Sequence, residues 1–236
     1  MEKMDISIVI PAYNEEKRLK TTLEGVYIYF KNSGLNFEII VVDDGSKDGT
    51  TNTVKTFSIN HPEVILRCHI NNQGKGAAVK TGVLSAKGDM ILFSDADLST
   101  PIKEFAKLKR ALDEGYDIAI GSRSISGAKI KIKQNILRRM IGMAGSYVIR
   151  VFITSKFSDT QCGFKMFKKD CGKQLFETQK INGFAFDVEI LYKAVRKGCK
   201  IKEIPVEWLN SPESKVNVIK DPLKVLKDLI RIKINC

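Results

Sequence analysis

Histidine is nearly missing from this chain: His61 and His69 are the only two in 236 residues. The five cysteines (Cys68, Cys162, Cys171, Cys199 and Cys236) are odd in number, widely spread and never spaced Cys-x-x-Cys. That argues against structural zinc and a disulfide framework, and for a reducing compartment. Long apolar runs are lacking too. No stretch approaches the ~20 residues of a spanning helix, and the first five residues carry no signal-type core, so the chain is not expected to cross a bilayer by itself. Two familiar phosphate loops are absent. Gly74-Lys75 is not set in Gly-x-x-x-x-Gly-Lys-Ser/Thr, and no Gly-x-Gly-x-x-Gly follows the first strand, which excludes a Walker A site and the dinucleotide fingerprint. Acidic residues are the minority, 27 against 39 Lys and Arg, for a net charge of +12. Such a balance points to acidic partners: nucleotides, nucleic acid or an anionic membrane face.

With 43% hydrophobic and 28% charged residues the composition is globular, and the length suits one large α/β domain or two small ones. Strand-like runs at Ile6 to Ile10, Phe37 to Val42, Val64 to Leu66, Asp89 to Ser94 and Asp117 to Gly121 alternate with helical patterns. The helices are expected from Leu19 to Phe30, up to about Asn60, from Ala77 to Ala86 and from about Ile102 to Glu114. This alternation predicts a doubly wound, mostly parallel sheet in the first half. Past Arg123 the rhythm breaks. A basic loop places Lys129, Lys131 and Lys133 around Ile130 and Ile132, and an apolar helix is expected over Ile136 to Thr154. A short strand from Phe164 to Phe167 and a helix from Ala185 to Lys197 follow. Ile201 to Trp208 reads as a strand, with Pro205 favouring an edge. A last amphipathic helix starts at Asp221-Pro222, with Leu223, Leu226, Leu229 and Ile230 on one stripe. There is no repeat and no low-complexity linker; one compact domain with a C-terminal extension is the simplest organisation.

The chain is organised around Met90-Ile91-Leu92-Phe93-Ser94-Asp95-Ala96-Asp97. Four apolar residues form a buried strand, and two carboxylates follow where ligands gather in open α/β sheets. Like charges so close repel unless something positive lies beside them, and a hard divalent cation holding a diphosphate is the usual remedy. Other strand ends are acidic as well: Glu15 after the first, Asp43 and Asp44 after the second. Carboxylates accept hydrogen bonds from ribose hydroxyls or base N–H groups, and Tyr13 offers a stacking face. Each alone reads equally as a helix cap or turn residue. Gly74 and Gly76 would let the backbone approach a ligand with Lys75 near its phosphates, or serve only as a helix entry.

Five segments in this order carry a resemblance: Pro11-Ala12-Tyr13-Asn14-Glu15, Val42-Asp43-Asp44-Gly45-Ser46, Gly74-Lys75-Gly76, Asp95-Ala96-Asp97 and Gly121-Ser122-Arg123. Together they resemble the family 2 glycosyltransferases of GT-A fold. Asp159-Thr160-Gln161-Cys162-Gly163-Phe164-Lys165 and Phe186-Asp187-Val188-Glu189 are similar to the branch that glycosylates polyprenyl phosphates, nearer the dolichyl-phosphate glucose synthases than the mannose synthases. The resemblance implies a Rossmann-like, mostly parallel sheet with helices on both faces. It also implies a nucleotide-sugar half (1–123) and an acceptor half (124–236) within one domain.

It further implies that Pro11, Tyr13, Glu15 and Asp43, with Asp44 beside them, line the base and ribose, that Lys75 lies near the phosphates, and that Asp95 contacts ribose or sugar. Asp97, with Asp95, would serve Mg²⁺ or Mn²⁺ on the diphosphate. Ser99 stands where the mannose synthases place a Gln in the metal shell. Arg123 would sit between donor and acceptor phosphates, with Asp159 as base or acceptor-site carboxylate. Arg138, Arg139 and Lys215 would grip the lipid phosphate; Pro212 replaces an arginine common there. The implied activity is inverting transfer of a hexose, glucose from UDP-glucose, to a dolichyl or polyprenyl phosphate. GDP-mannose is the alternative donor, and a sugar-nucleotide binder without turnover is a second alternative. A nucleic-acid-binding role, suggested by charge alone, lacks a binding motif. The basic loop, the Ile136 helix and the C-terminal helix would dock the enzyme peripherally on the cytoplasmic membrane face, by themselves or through a membrane-anchored subunit.

Overall fold

The structure is a computed structural model that describes residues 3–131, 156–209 and 220–235, the last stretch with side chains from 227 to 234. The expected helix over Ile136 to Thr154, with Arg138 and Arg139, lies outside the described residues, as do Pro212 and Lys215.

A seven-stranded sheet runs in the order β3-β2-β1-β4-β7-β5-β8. Its strands are β1 (Ile6–Ala12), β2 (Phe37–Asp43), β3 (Val64–Cys68), β4 (Met90–Ser94), β5 (Ile118–Ser122), β7 (Phe164–Lys168) and β8 (Ile201–Pro205). All pairings are parallel except those of β7, which enters antiparallel between β4 and β5. The second half of the chain thus completes the sheet begun by the first. Helices α1 (Glu16–Lys31), α2 (Thr50–Ile59), α3 (Lys75–Ser85), α4 (Phe105–Asp113), α5 (Lys169–Glu177), α6 (Phe186–Arg196) and α7 (Lys220–Asn235) pack around it.

Period-two alternation divides the core between the two faces. Ile6, Ile8, Ile10, Ile39 and Val41 pack with Leu19, Leu23, Val26 and Phe30 of α1 and with Phe105 and Leu108 of α4. Val9, Ile40, Val42, Ile91 and Phe93 face the other way, onto Val79 and Val83 of α3 and Phe186 and Ile190 of α6. β1 continues two residues past its expected end at Ile10, through Pro11. The Ala12 carbonyl accepts from Asp44 N on the β2 side, so the Pro11 nitrogen faces β4, where pairing has already ended at Val9–Phe93. A missing donor costs nothing there.

Three expectations in the second half are corrected. The Ile201 to Trp208 run breaks at Val206, leaving β8 on the sheet edge and Glu207–Trp208 as a separate strand, β9. β9 pairs in parallel with β6 (Lys129–Ile130), part of the expected basic loop. Helix α5 carries no strong sequence signal and was not expected. The C-terminal helix docks through Leu229 and Ile232, which are buried against Ile181, Ala185 and Val188, whereas Ile230 on the expected stripe is exposed.

Candidate active site

The acidic segment after β4 is built as a turn. Leu98 N donates to the Asp95 carbonyl at 3.3 Å, and Ser99 N to Asp97 Oδ1 at 2.9 Å. Thr22 on α1 donates to the Ala96 carbonyl at 2.6 Å. Leu98 itself has φ of +45°, a conformation that leucine rarely adopts, and its side chain packs on the core. Such strain persists only where the surroundings over-determine it. The result is that Asp95 and Asp97 point outward, with side chains 32% and 19% exposed.

Positive charge lies beside both. Lys75 Nζ is 2.7 Å from Asp95 Oδ1, and Arg18 is 3.9 Å from Asp97 Oδ2. Arg18 also clasps Glu15 through two hydrogen bonds, Nη2 to Oε1 at 2.8 Å and Nε to Oε2. Burial works against the charge of Lys75, but Asp95 above all, then Asp187 and Asp97, outweigh it and raise its pKa. Lys75 therefore stays cationic beside the acidic turn.

The glycine loop takes the second of its two expected roles, entry into α3, which begins at Lys75. Asn182 O accepts from Gly76 N at 2.8 Å and from Ala77 N at 3.3 Å. A Cβ on Gly74 would lie 2.4 Å from Asn182 O, and one on Gly76 2.7 Å from Ile181 O. The two glycines thus admit the 181–182 segment, not a phosphate, and the first amides of α3 are capped by it. Only the Lys75 side chain faces the site. Asp44 is buried and holds this loop: it accepts from Gln73 N at 2.9 Å, Gly74 N at 2.8 Å and His69 Nδ1 at 2.7 Å. Asp44 thus shapes the loop next to the site through both of its oxygens. Asp43, also buried, accepts from Ser46 N at 2.9 Å and from the Thr51 hydroxyl. Glu15 N is held by Thr50 Oγ1 at 2.7 Å, which fixes the loop carrying Tyr13.

On the other side of the acidic turn, Arg123 follows β5. It meets Asp159 in a bidentate pair, Nε to Oδ2 at 2.7 Å and Nη2 to Oδ1 at 2.9 Å, while Arg123 N also donates to Oδ2 at 3.0 Å. The guanidinium lies over the Trp208 ring, 5.6 Å from its centroid. Glu203 accepts from Asp159 N at 2.9 Å and so steadies the partner. Burial would raise the Asp159 pKa, but Arg123 outweighs burial and holds the carboxyl below the usual range. Asp159 is therefore an ionised anchor for Arg123, in keeping with the carboxylate alternative of the expected base or acceptor-site carboxylate. The Cys162 thiol between these residues is pushed up to about 11 by burial and stays protonated.

The two sides meet at Gly163, whose carbonyl accepts from Asp95 N at 3.1 Å. A Cβ on Gly163 would fall 1.9 Å from Asp95 Oδ2, so only glycine leaves room for that carboxylate. Behind it, Lys165 and Asp187 form a buried ion pair at 2.6 Å, and Lys165 also donates to the Cys162 carbonyl at 2.5 Å. Glu189 is buried too, accepting from Lys180 N at 2.9 Å, Ile181 N at 2.8 Å and Lys193 Nζ at 2.6 Å. Both acids at the start of α6 are therefore buried and partnered, not solvated. Arg18 and Trp208 were missed. The three-residue spacing from Glu15 to Arg18 could have signalled the first; nothing local signals the second.

Acidic strand ends flanked by fixed cations at the carboxyl ends of such a sheet mark the edge where ligands bind in open α/β folds. Comparison with known proteins sharpens this: the chain belongs to glycosyl transferase family 2, whose family model matches residues 7–176. Its curated relatives are more specific. It is 36% identical over 97% of its length to the dolichyl-phosphate beta-glucosyltransferase ALG5D of Trichomonas vaginalis, covering 73% of that protein. It is 34% identical to the human dolichyl-phosphate beta-glucosyltransferase, covering 97% of this chain and 75% of that one. Among solved structures, glucosyl-3-phosphoglycerate synthase from Mycobacterium tuberculosis, in complex with Mn²⁺, UDP and glucosyl-3-phosphoglycerate, superposes with a TM-score of 0.68. That match covers 97% of this chain and 80% of the other at 16% identity, and establishes the shared GT-A fold.

Proposed function

We propose that this chain transfers glucose from UDP-glucose to dolichyl phosphate, inverting the anomeric centre. The observation that carries the reading is the outward Asp95–Asp97 turn set between two fixed cations, Lys75 and the Asp159-anchored Arg123. Two curated relatives named for that reaction, aligned over nearly the whole chain, support the choice of glucose and dolichyl phosphate.

In this reading Pro11, Tyr13, Glu15 and Asp43 line the base and ribose. Asp44 acts through the loop it holds. Asp95 and Asp97 meet the requirements of Mg²⁺ or Mn²⁺. They supply hard oxygen ligands, and no cluster of three or more His, Cys, Asp or Glu exists among the described residues. That suits an ion arriving with a diphosphate, since Mg²⁺ is commonly held by one or two carboxylates plus phosphate oxygens. When bound, it would neutralise the diphosphate and stabilise it as a leaving group. Lys75 adds a positive charge beside the same phosphates.

The acceptor is its own nucleophile. A phosphate monoester has a second pKa of about 6, so near neutrality it is largely dianionic and needs no base. One of its oxygens attacks the anomeric carbon as the bond to the diphosphate oxygen breaks, giving glucosyl phospholipid and UDP. Arg123, locked against Asp159 and Trp208, offsets the repulsion between the incoming phosphate and the donor. Arg138, Arg139 and Lys215 are proposed to grip the acceptor phosphate. Membrane contact is proposed to be peripheral. Among the described residues no helix is long and apolar enough to cross a membrane, whereas exposed Ile130, Ile230 and Ile234 lie near basic side chains.

The test is transfer itself: the protein is incubated with dolichyl phosphate, Mg²⁺ and either labelled UDP-glucose or labelled GDP-mannose. Label from UDP-glucose should enter the organic phase. Label only from GDP-mannose would replace the donor, and donor binding without transfer would reduce the protein to a sugar-nucleotide binder.

A further inference from the structure

A pair of thiols lies at the end of the sheet away from the proposed donor site. Cys171 sits in the first turn of α5 and Cys199 in the turn between α6 and β8. Their Sγ atoms are 3.6 Å apart although the residues are 28 positions apart in sequence, and both side chains are half-buried. This is where β5 and β8 begin, whereas Asp95 and Arg123 stand where β4 and β5 finish. Beside the sulfurs opens a cavity of about 430 Å³ lined by Asp117, Gln174, Leu175, Lys197 and Gly198. Nothing in glycosyl transfer uses it.

We propose that Cys171 and Cys199 form a reversible dithiol–disulfide site whose co-substrate is a low-molecular-weight disulfide. A disulfide requires sulfurs about 2.05 Å apart, so closure asks for a movement of roughly 1.5 Å, within the reach of side-chain rotation and a small shift of the Gly198 turn. The cavity admits the incoming disulfide to both sulfurs, and Lys197 on its wall favours a thiolate there. Cys171 donates its S–H toward the Cys199 sulfur, an arrangement that favours the thiolate on Cys199 and makes it the attacking group. Its thiolate displaces one half of the small disulfide, forming a mixed disulfide and releasing one thiolate. Cys171 then attacks the Cys199 sulfur, its proton passing to water, and expels the second thiolate. Two protein thiols are oxidised and one small disulfide is reduced to two thiols. The bond encloses the whole of α6, the helix whose other end carries Asp187 and Glu189.

The experiment uses the full chain carrying Cys68→Ser and Cys236→Ser, reduced, then exposed to oxidised glutathione. Free thiols are blocked, and the protein is digested and mapped by mass spectrometry without reduction. The expected result is a cross-linked peptide pair joining Cys171 to Cys199, two hydrogens lighter than the reduced peptides and reversed by dithiothreitol. A glutathione adduct trapped on Cys199 is expected when Cys171→Ser is added. The cross-linked form should unfold about 5 °C higher than the reduced form, since a loop of this length is closed in the unfolded chain. Stable glutathione adducts on both cysteines with no cross-link, or full blocking of both as free thiols after prolonged oxidation, would overturn the proposal. Both readings come from the chain with the pair intact, so they stand even if the Cys171→Ser variant does not fold.

Discussion

At the scale of single residues, the account assigns Arg123 and Asp159 unequal parts. Arg123 is proposed to face both phosphates, so Arg123→Ala should lower kcat by roughly 10²–10³-fold while donor affinity changes only a few-fold. Steady-state kinetics beside donor titration checks this, and a pure loss of donor affinity would move Arg123 away from the acceptor. Asp159→Asn keeps the shape and removes the charge that holds the guanidinium, so a smaller loss, about 10–100-fold, is expected. The pair also sets a pH dependence. The Asp159 carboxyl has a lowered pKa in the folded state, so its contribution to stability is complete above the unfolded carboxylate value of about 3.9. That contribution is lost as pH falls through the lower folded value. Denaturation followed from pH 6 to pH 2 should therefore show wild type losing stability below about pH 4 more steeply than Asp159→Asn. Gly163→Ala is the other sharp case. Its Cβ would occupy the space of the Asp95 carboxylate, so transfer should drop by about 10²-fold or more with little change in melting temperature.

At the scale of elements, α7 gives the clearest prediction. Leu229 and Ile232 are its buried contacts to α6 and the Ile181 segment, and a large-to-small change in such a contact costs about 2–4 kcal/mol. Leu229→Ala should therefore raise hydrogen exchange throughout α7 while the sheet strands keep their protection; unchanged exchange in α7 would show that the helix is held elsewhere. This scale also separates what the sequence made legible from what it hid. Continuous apolar runs such as Ile39 to Val42 and Ile91 to Phe93 announced buried strands, and the carboxylates behind them announced the candidate site edge. The antiparallel entry of β7 was hidden, because period and composition carry no strand direction. The two readings of the glycine loop could not be separated for a related reason. Gly74 and Gly76 meet the 181–182 segment, more than a hundred residues along the chain, and no local pattern reports such a contact. The burial of Glu189 was hidden too, because an acid early in a helix is equally at home in solvent. Here its oxygens hold the very segment that caps α3.

At the scale of the molecule, charge organises the account. The chain carries a net charge of +12 together with a rim of Asp95, Asp97 and Glu15, so its cations favour anionic partners while the carboxylates are proposed to receive a metal-bound diphosphate. Peripheral binding to vesicles containing anionic lipid is expected, and it should weaken markedly as salt rises from about 0.05 to 0.5 M, where the screening length falls to a few ångströms. Sedimentation with vesicles measures this; binding indifferent to salt would assign docking to apolar contact alone.

The central claim is that the acidic turn after β4 serves a cation and a diphosphate, not the core. Among the described residues the Asp97 side chain accepts from the Ser99 amide at 2.9 Å and lies 3.9 Å from Arg18. The most direct measurement is transfer from UDP-glucose to dolichyl phosphate by Asp97→Ala, with its melting temperature recorded alongside. The account predicts a fall in transfer of about 10²–10³-fold with the melting temperature within about 2 °C of wild type. Near-normal turnover in a folded Asp97→Ala protein would contradict it.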